Sequence, residues 1–170
     1  MNLAAPPDAG HTLTELMAIL GIAAVLAAAA VPLFSTLLLD SRMNAVVATT
    51  MHAVNLARQF SATRGETIRL CGSANQRECS GAMDWSAGLL LTNDVGLFRQ
   101  GLGFAGGRGT PRLRSNRATL SFEAGSGYST PATLVVCDRR GAAAARAVIL
   151  SRTGRPRVSL RDASDRALSC

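Results

Sequence analysis

Hydrophobic and polar positions fall into three regimes along the chain. Residues 16–34 carry no charge, and the apolar stretch continues to residue 39. A helix of that length spans a bilayer, and a helix apolar on every face is rarely buried in a small soluble domain. After Asp40 the pattern becomes amphipathic. Met43, Val47, Met51 and Val54 recur at helical spacing, Val46, Ala53, Leu56 and Phe60 widen the stripe, and Asn44, Asn55, Arg58 and Gln59 lie off it. The two regimes predict one long helix over residues 12–63, with Pro32 kinking or loosening it and Arg64-Gly65 ending it. Beyond residue 65, short alternating segments at 67–71, 88–92, 118–123, 133–137, 147–151 and 157–160 are separated by Gly-, Pro- and Ser-rich stretches. They predict antiparallel strands. Residues 101–111 predict a Gly-rich, mobile loop. The expected fold class is α+β, a long N-terminal helix packed on a small antiparallel β-sheet domain. Its expected parts are a transmembrane half at 11–39, an amphipathic half at 40–64 and a β-rich domain at 65–170.

Composition narrows this picture. With 170 residues there is room for one ordinary domain and an appendage. Apolar types reach 48%, which excludes a disordered chain, while aromatics at 4% leave the core to Ala, Leu and Val. All 18 basic residues are Arg and the net charge is +7, unevenly placed. Residues 1–41 hold three acids and no Arg; residues 99–170 hold thirteen Arg against four acids, a local +9. Such asymmetry is a signal about partners, here anionic ones, rather than about fold.

Enzymatic chemistry has little to stand on. The chain has two His, and His52 reads as a surface residue. Gly101, Gly103 and Gly106 spell G-x-G-x-x-G, but the sequence after them starts no helix, as a dinucleotide site requires. No Walker A, HExxH or G-x-S-x-G sequence is present. Neither a catalytic residue, a metal site nor a cofactor is expected. Cys71, Cys79, Cys137 and Cys170 lack zinc-site spacing, and outside the cytoplasm they can oxidise in three pairings. The favoured one joins Cys71 to Cys79, closing a small loop, and Cys137 to Cys170, pinning the C-terminal tail to a strand.

The C-terminal arginines offer more. In Arg152-Thr153-Gly154-Arg155-Pro156-Arg157, Gly154 permits a tight turn and Pro156 stiffens its tip. In an extended segment Arg155 and Arg157 point the same way. Guanidinium forks match phosphate oxygens and can track a nucleic-acid backbone without reading bases. Arg139, Arg140, Arg161 and the arginines of 108–117 could extend the patch. On the residues alone, a solvated basic loop or a contact with anionic lipid accounts for the turn equally well.

Two motifs resemble a known family. Gly10, Thr12, Leu13, Glu15 and Pro32, set around the apolar run, resemble the leader and helix of type IV pilins and pseudopilins. The resemblance implies that a prepilin peptidase removes residues 1–10 by cutting between Gly10 and His11, and that His11 is N-methylated. It further implies that Glu15 pairs with the N-terminal amine of a neighbouring subunit in the filament. A carboxylate at membrane depth is costly unless paired. Downstream, Thr67-Ile68-Arg69-Leu70-Cys71, Cys79, Asp84-Trp85-Ser86-Ala87-Gly88, Leu134-Val135-Val136-Cys137, Arg146-Ala147-Val148-Ile149, Gly154-Arg155-Pro156-Arg157 and Cys170 resemble the FimT/GspH group. The Gly-Arg-x-Arg motif resembles the FimT branch, which implies that Arg152, Gly154, Arg155 and Arg157 bind DNA during natural transformation. Trp85, placed before a strand, reads as core rather than as a base-stacking residue. By resemblance the chain is a single-pass inner-membrane protein with a periplasmic domain, later incorporated in a pilus or pseudopilus. Its implied partners are other pilins or pseudopilins, the peptidase/methylase, the inner membrane and DNA. The alternative function is that of a GspH-type pseudopilin of a type II secretion system.

Overall fold

The computed structural model describes residues 12–96, 98–104 and 109–170, without the side chains of residues 29–33. The expected leader, with Gly10 and His11, lies outside these residues. The elements run α1 (Leu13–Arg64), β1 (Ile68–Gly72), β2 (Leu89–Asn93), β3 (Arg99–Leu102), β4 (Arg112–Ser115), β5 (Thr119–Phe122), β6 (Ala132–Cys137), a 3-10 turn (Ala142–Ala144), β7 (Arg146–Leu150) and β8 (Pro156–Ser159). The chain divides into two units, Met1–Leu38 and Leu39–Cys170.

Local chemistry sets the ends of α1. Thr12 caps it, its Oγ1 accepting the Glu15 N–H at 3.3 Å, and Glu15 puts an acid in the first turn, where the helix dipole favours one. Thr12-x-x-Glu15 has the spacing of a capping box. At the other end Gly65 takes φ +65°, the left-handed conformation that terminates helices. Helical geometry continues through position 32 without a break, so Pro32 does not divide α1. In the first unit Leu16, Met17, Ile19, Leu20, Ile22, Val25 and Leu26 are all exposed. Among the described residues no helix is long and apolar enough to cross a membrane; the apolar run expected to do so passes through residues 29–33.

In the second unit the helical stripe is buried at Leu39, Met43, Val46, Val47, Thr50, Ala53, Val54 and Ala57. The buried Thr50 hydroxyl donates to the Val46 carbonyl at 2.8 Å, so no donor is stranded. Met51, Leu56 and Phe60 flank the stripe and are half-buried.

Two antiparallel four-stranded sheets complete this unit, in the orders β3-β2-β1-β5 and β4-β6-β7-β8. Helix and sheets share one core, in which Met43 and Val54 meet Ile68, Leu70, Leu89, Leu91, Leu120, Phe122, Leu134, Val136, Val148 and Leu150. All six expected strands are present. The structure adds β3 and β4, both at sheet edges. Their sequences, RQGL and RLRS, each hold a single Leu among polar residues and Gly, too little apolar signal to read as a strand. Because β3 takes Gly101 and Leu102, the expected loop begins at Gly103; residues 105–108 within it lie outside the description.

The other face of the second sheet carries a smaller cluster, in which Ala147 and Ile149 are covered by Ala145, Cys137 and Leu168 of the C-terminal tail. Disulfides join Cys71 to Cys79 and Cys137 to Cys170. The second holds the tail against this face.

Candidate nucleic-acid interface

Strands β7 and β8 form a hairpin whose last register pair is Leu150 with Pro156, leaving residues 151–155 as the connection. Ser151 organises it. Its N–H donates to the Arg155 carbonyl at 3.2 Å, its Oγ accepts the Arg155 N–H at 3.3 Å, and its carbonyl accepts the Gly154 N–H at 3.0 Å. Gly154 is buried with φ +71°, a conformation that side chains disfavour. Pro156 opens β8 at the edge of the sheet, where its missing N–H costs no ladder bond.

The turn is seated on two other elements. Ser129, in the β5–β6 loop, donates its N–H to the Arg152 carbonyl at 2.8 Å and its hydroxyl to the Ser151 carbonyl at 2.9 Å. The same loop is tied to α1 by the Gly125 N–H, which donates to the Ser61 carbonyl at 2.9 Å. The stem of Arg58 lies against both turns, with Cγ 3.2 Å from where a Cβ on Gly127 would stand and Cδ 3.1 Å from where one on Gly154 would stand. Helix, loop and hairpin thus fix the backbone that carries Arg152, Arg155 and Arg157.

These three guanidiniums are exposed, and among the described residues none of them enters an ion pair. Arg157 faces Ile149 across the β7–β8 ladder, and Arg155 precedes it by two residues. Among the described residues, five other arginines face carboxylates. Arg69 pairs with Asp94 at 2.7 Å, Arg112 with Asp84 at 3.2 Å and Arg166 with Asp162 at 2.9 Å. Three arginines of the expected extension of the patch face carboxylates, Arg112 among them. Arg140 is held by Asp138 at 2.7 Å and Asp40 at 2.8 Å, and Arg161 lies 3.8 Å from Asp165. Burial acts to raise the Asp138 carboxyl, but the Arg140 side chain and backbone N–H donate to it and hold it below its ordinary value. Arg140 is raised in turn by its bonds to Asp138 and then Asp40. Hydrogen bonds from Ser86 lower Asp84, and the backbone N–H of Arg166 leads in lowering Asp162. Arg108 lies outside the described residues.

Other expected residues are placed as follows. The Glu15 carboxylate is exposed in the first turn of α1. Trp85 is fully buried, and its Nε1 donates to the Ala82 carbonyl at 3.1 Å. His52 is exposed, and no group of His, Cys, Asp and Glu among the described residues is placed to hold a metal. Two residues beside the arginine turn escaped sequence reasoning. Arg58 read only as a polar position off the helical stripe. Tyr128, in the β5–β6 loop, is 48% exposed next to the arginine hairpin.

Comparison with known proteins bears on family and fold. The family described as Type II transport protein GspH matches residues 47–154, well over half of the chain. The match ends at Gly154, ahead of Arg155 and Arg157. No curated protein matches the chain. Among solved structures, a crystal form of the type IV minor pilin FimU from Pseudomonas aeruginosa is 20% identical and gives a TM-score of 0.52, covering 82% of this chain and 99% of that one. A second crystal form is 19% identical with a TM-score of 0.48, covering 69% and 90% respectively. The likeness to FimU is one of fold: a long helix packed on antiparallel sheets. On the family match, the chain belongs to the GspH family, the FimT/GspH group of minor pilins and pseudopilins that its motifs resemble.

Proposed function

We propose that this chain is a non-enzymatic minor pilin that binds the DNA backbone through Arg152, Arg155 and Arg157 and serves DNA uptake in natural transformation, pilus assembly or both. The observation that carries the reading is the grouping of three solvent-facing arginines, Arg152, Arg155 and Arg157, on one hydrogen-bonded turn, while Arg112, Arg140, Arg161 and Arg166 face carboxylates. Gly154 supplies the turn that presents them. Phosphates suit such forks, and contacts of this kind give weak, salt-sensitive binding with little choice of sequence.

The remaining assignments belong to the same proposal. Residues 1–10 are a leader cut between Gly10 and His11, followed by methylation of His11. Residues 11–39 are the membrane half of α1, 40–64 its amphipathic half and 65–170 the periplasmic domain. Glu15 serves assembly with neighbouring pilins. The exposed apolar side chains that surround α1 from Leu16 to Leu26 support a lipid or helix–helix environment for this half. The subunit is held in the inner membrane and passes into a pilus after processing by the peptidase/methylase.

A second reading is a GspH-type pseudopilin of a type II secretion system, with the arginine turn contacting a subunit or a secreted protein. The family description, which names type II transport, favours it. Titration of the full chain in neutral detergent against a short duplex, at low and moderate salt and beside an Arg155→Ala/Arg157→Ala variant, separates the two. Salt-dependent binding lost in the variant supports the DNA reading. Absence of binding even at low salt leaves the secretion pseudopilin.

A further inference from the structure

Beside the arginine turn lies an open cleft of about 700 Å³, and Tyr128 and Arg152 both line it. Tyr128 is held from its backbone: its N–H donates to Ser126 Oγ at 3.2 Å and its carbonyl accepts the Glu123 N–H at 2.7 Å. Ser129, the next residue, bonds both the Arg152 and Ser151 carbonyls, so the backbone that carries the ring is fixed relative to the hairpin that carries the arginines. An exposed aromatic side chain on such a backbone has no packing role in the core to explain it. Ser121, Glu123, Thr130 and Pro131 are among its other walls. Glu123 is exposed, so its carboxylate repels phosphate from the cleft interior and leaves the phosphate to Arg152 at the rim. The same carboxylate accepts hydrogen bonds from exocyclic amino groups of bases.

We propose that this cleft takes one unstacked base of single-stranded DNA, with Tyr128 stacking on the base, the phosphates on either side lying on Arg152 and Arg155, and Arg58 adding positive charge beneath the turn. The proposal rests on the DNA-binding reading and deepens it. A base in a duplex is stacked between its neighbours and cannot lie on Tyr128 without leaving them, so the cleft favours single strands or frayed ends. Stacking is tolerant of base identity, which suits a protein whose arginines read no sequence.

The test is fluorescence anisotropy of the full chain in neutral detergent, with a labelled single-stranded oligodeoxyadenylate and a labelled duplex of equal length. The proteins compared are the wild type, Tyr128→Phe, Tyr128→Leu, Tyr128→Ala and Arg155→Ala/Arg157→Ala. Tyr128→Ala and Tyr128→Leu are expected to weaken single-strand binding about tenfold, with Tyr128→Phe close to the wild type. Duplex affinity and the salt slope should stay unchanged in all three Tyr128 variants, because no charge is removed. If Tyr128→Ala and Tyr128→Leu bind single strands like the wild type while the arginine variant does not, the stacking site falls and the DNA reading stands. Equal weakening on single strand and duplex also overturns the stacking site. A wild type that binds neither nucleic acid removes both proposals together.

Discussion

Gly154 sits so close to the carbonyl oxygen of Gly127 that no Cβ fits between them. Two turns distant in sequence touch at this point, and Arg58 fills the space beside it. Gly154→Ala meets two penalties there: the left-handed conformation at φ +71°, worth about 1–2 kcal/mol for a residue with a side chain, and the collision with Gly127. The variant is expected to lose at least that much stability in urea unfolding. Because the strain falls on the backbone that presents Arg155, DNA binding should weaken with all arginines still in place. A Gly154→Ala protein as stable as the wild type would show that the two turns do not meet as described.

The two disulfides should differ in weight. Cys137–Cys170 spans 33 residues and holds Leu168 over Ile149, whereas Cys71–Cys79 spans 8 and closes a surface loop. Loop-closure entropy gives the longer bridge roughly 3.5–4 kcal/mol and the shorter about 2.5 kcal/mol. Cys137→Ser/Cys170→Ser is thus expected to lower the urea midpoint more than Cys71→Ser/Cys79→Ser. It should also deprotect the amides of β7 to hydrogen exchange, because the outer face of that strand loses its cover.

Much of this architecture was legible because burial leaves a periodic trace. The helical stripe through Met43 and Val54, and the strands carrying Leu70, Leu91, Leu134 and Val148, advertise themselves by apolar spacing. Strands β3 and β4 do not, since three of the four residues in each are Arg, Gln, Gly or Ser, at a sheet edge. The site divides similarly. Arg152, Arg155 and Arg157 are contiguous, so the chain itself assembles them. Arg58 and Tyr128 come from distant segments and join the turn only through tertiary contacts at Gly127 and Ser129. Which arginines are neutralised was equally hidden, because Asp40 reaches Arg140 from a hundred residues away.

That long-range contact makes a prediction about pH. Asp138, whose side chain is 1% exposed, and Asp40 both grip Arg140, joining α1 to the loop after β6. The Asp138 carboxyl lies below its ordinary 3.8 in the folded protein. The folded state therefore binds its proton less readily than the unfolded chain does. The stabilisation is complete above the ordinary value and is lost as pH falls through the lowered one. Asp138→Asn should lower the melting temperature at neutral pH and flatten its fall between about pH 5 and pH 2, the curves of the two proteins converging in acid. Parallel curves would mean that Asp138 carries no acid-labile stability.

The strongest check on the arginine turn holds charge constant. Arg161→Ala/Arg166→Ala and Arg155→Ala/Arg157→Ala each remove two positive charges, so bulk electrostatics changes equally in both. Arg161 and Arg166 already face Asp165 and Asp162, and their forks are partly occupied. Arg155 and Arg157 face solvent from a fixed backbone. If three phosphates are neutralised at the turn, the log–log salt slope of the wild type is about −3, and losing two of the three contacts brings it to about −1. The Arg161→Ala/Arg166→Ala protein should keep a slope near that of the wild type and most of its affinity. Equal losses in the two variants would mean that DNA responds to net charge alone, and that the hydrogen-bonded turn built by Ser151, Gly154 and Ser129 serves the fold rather than a ligand.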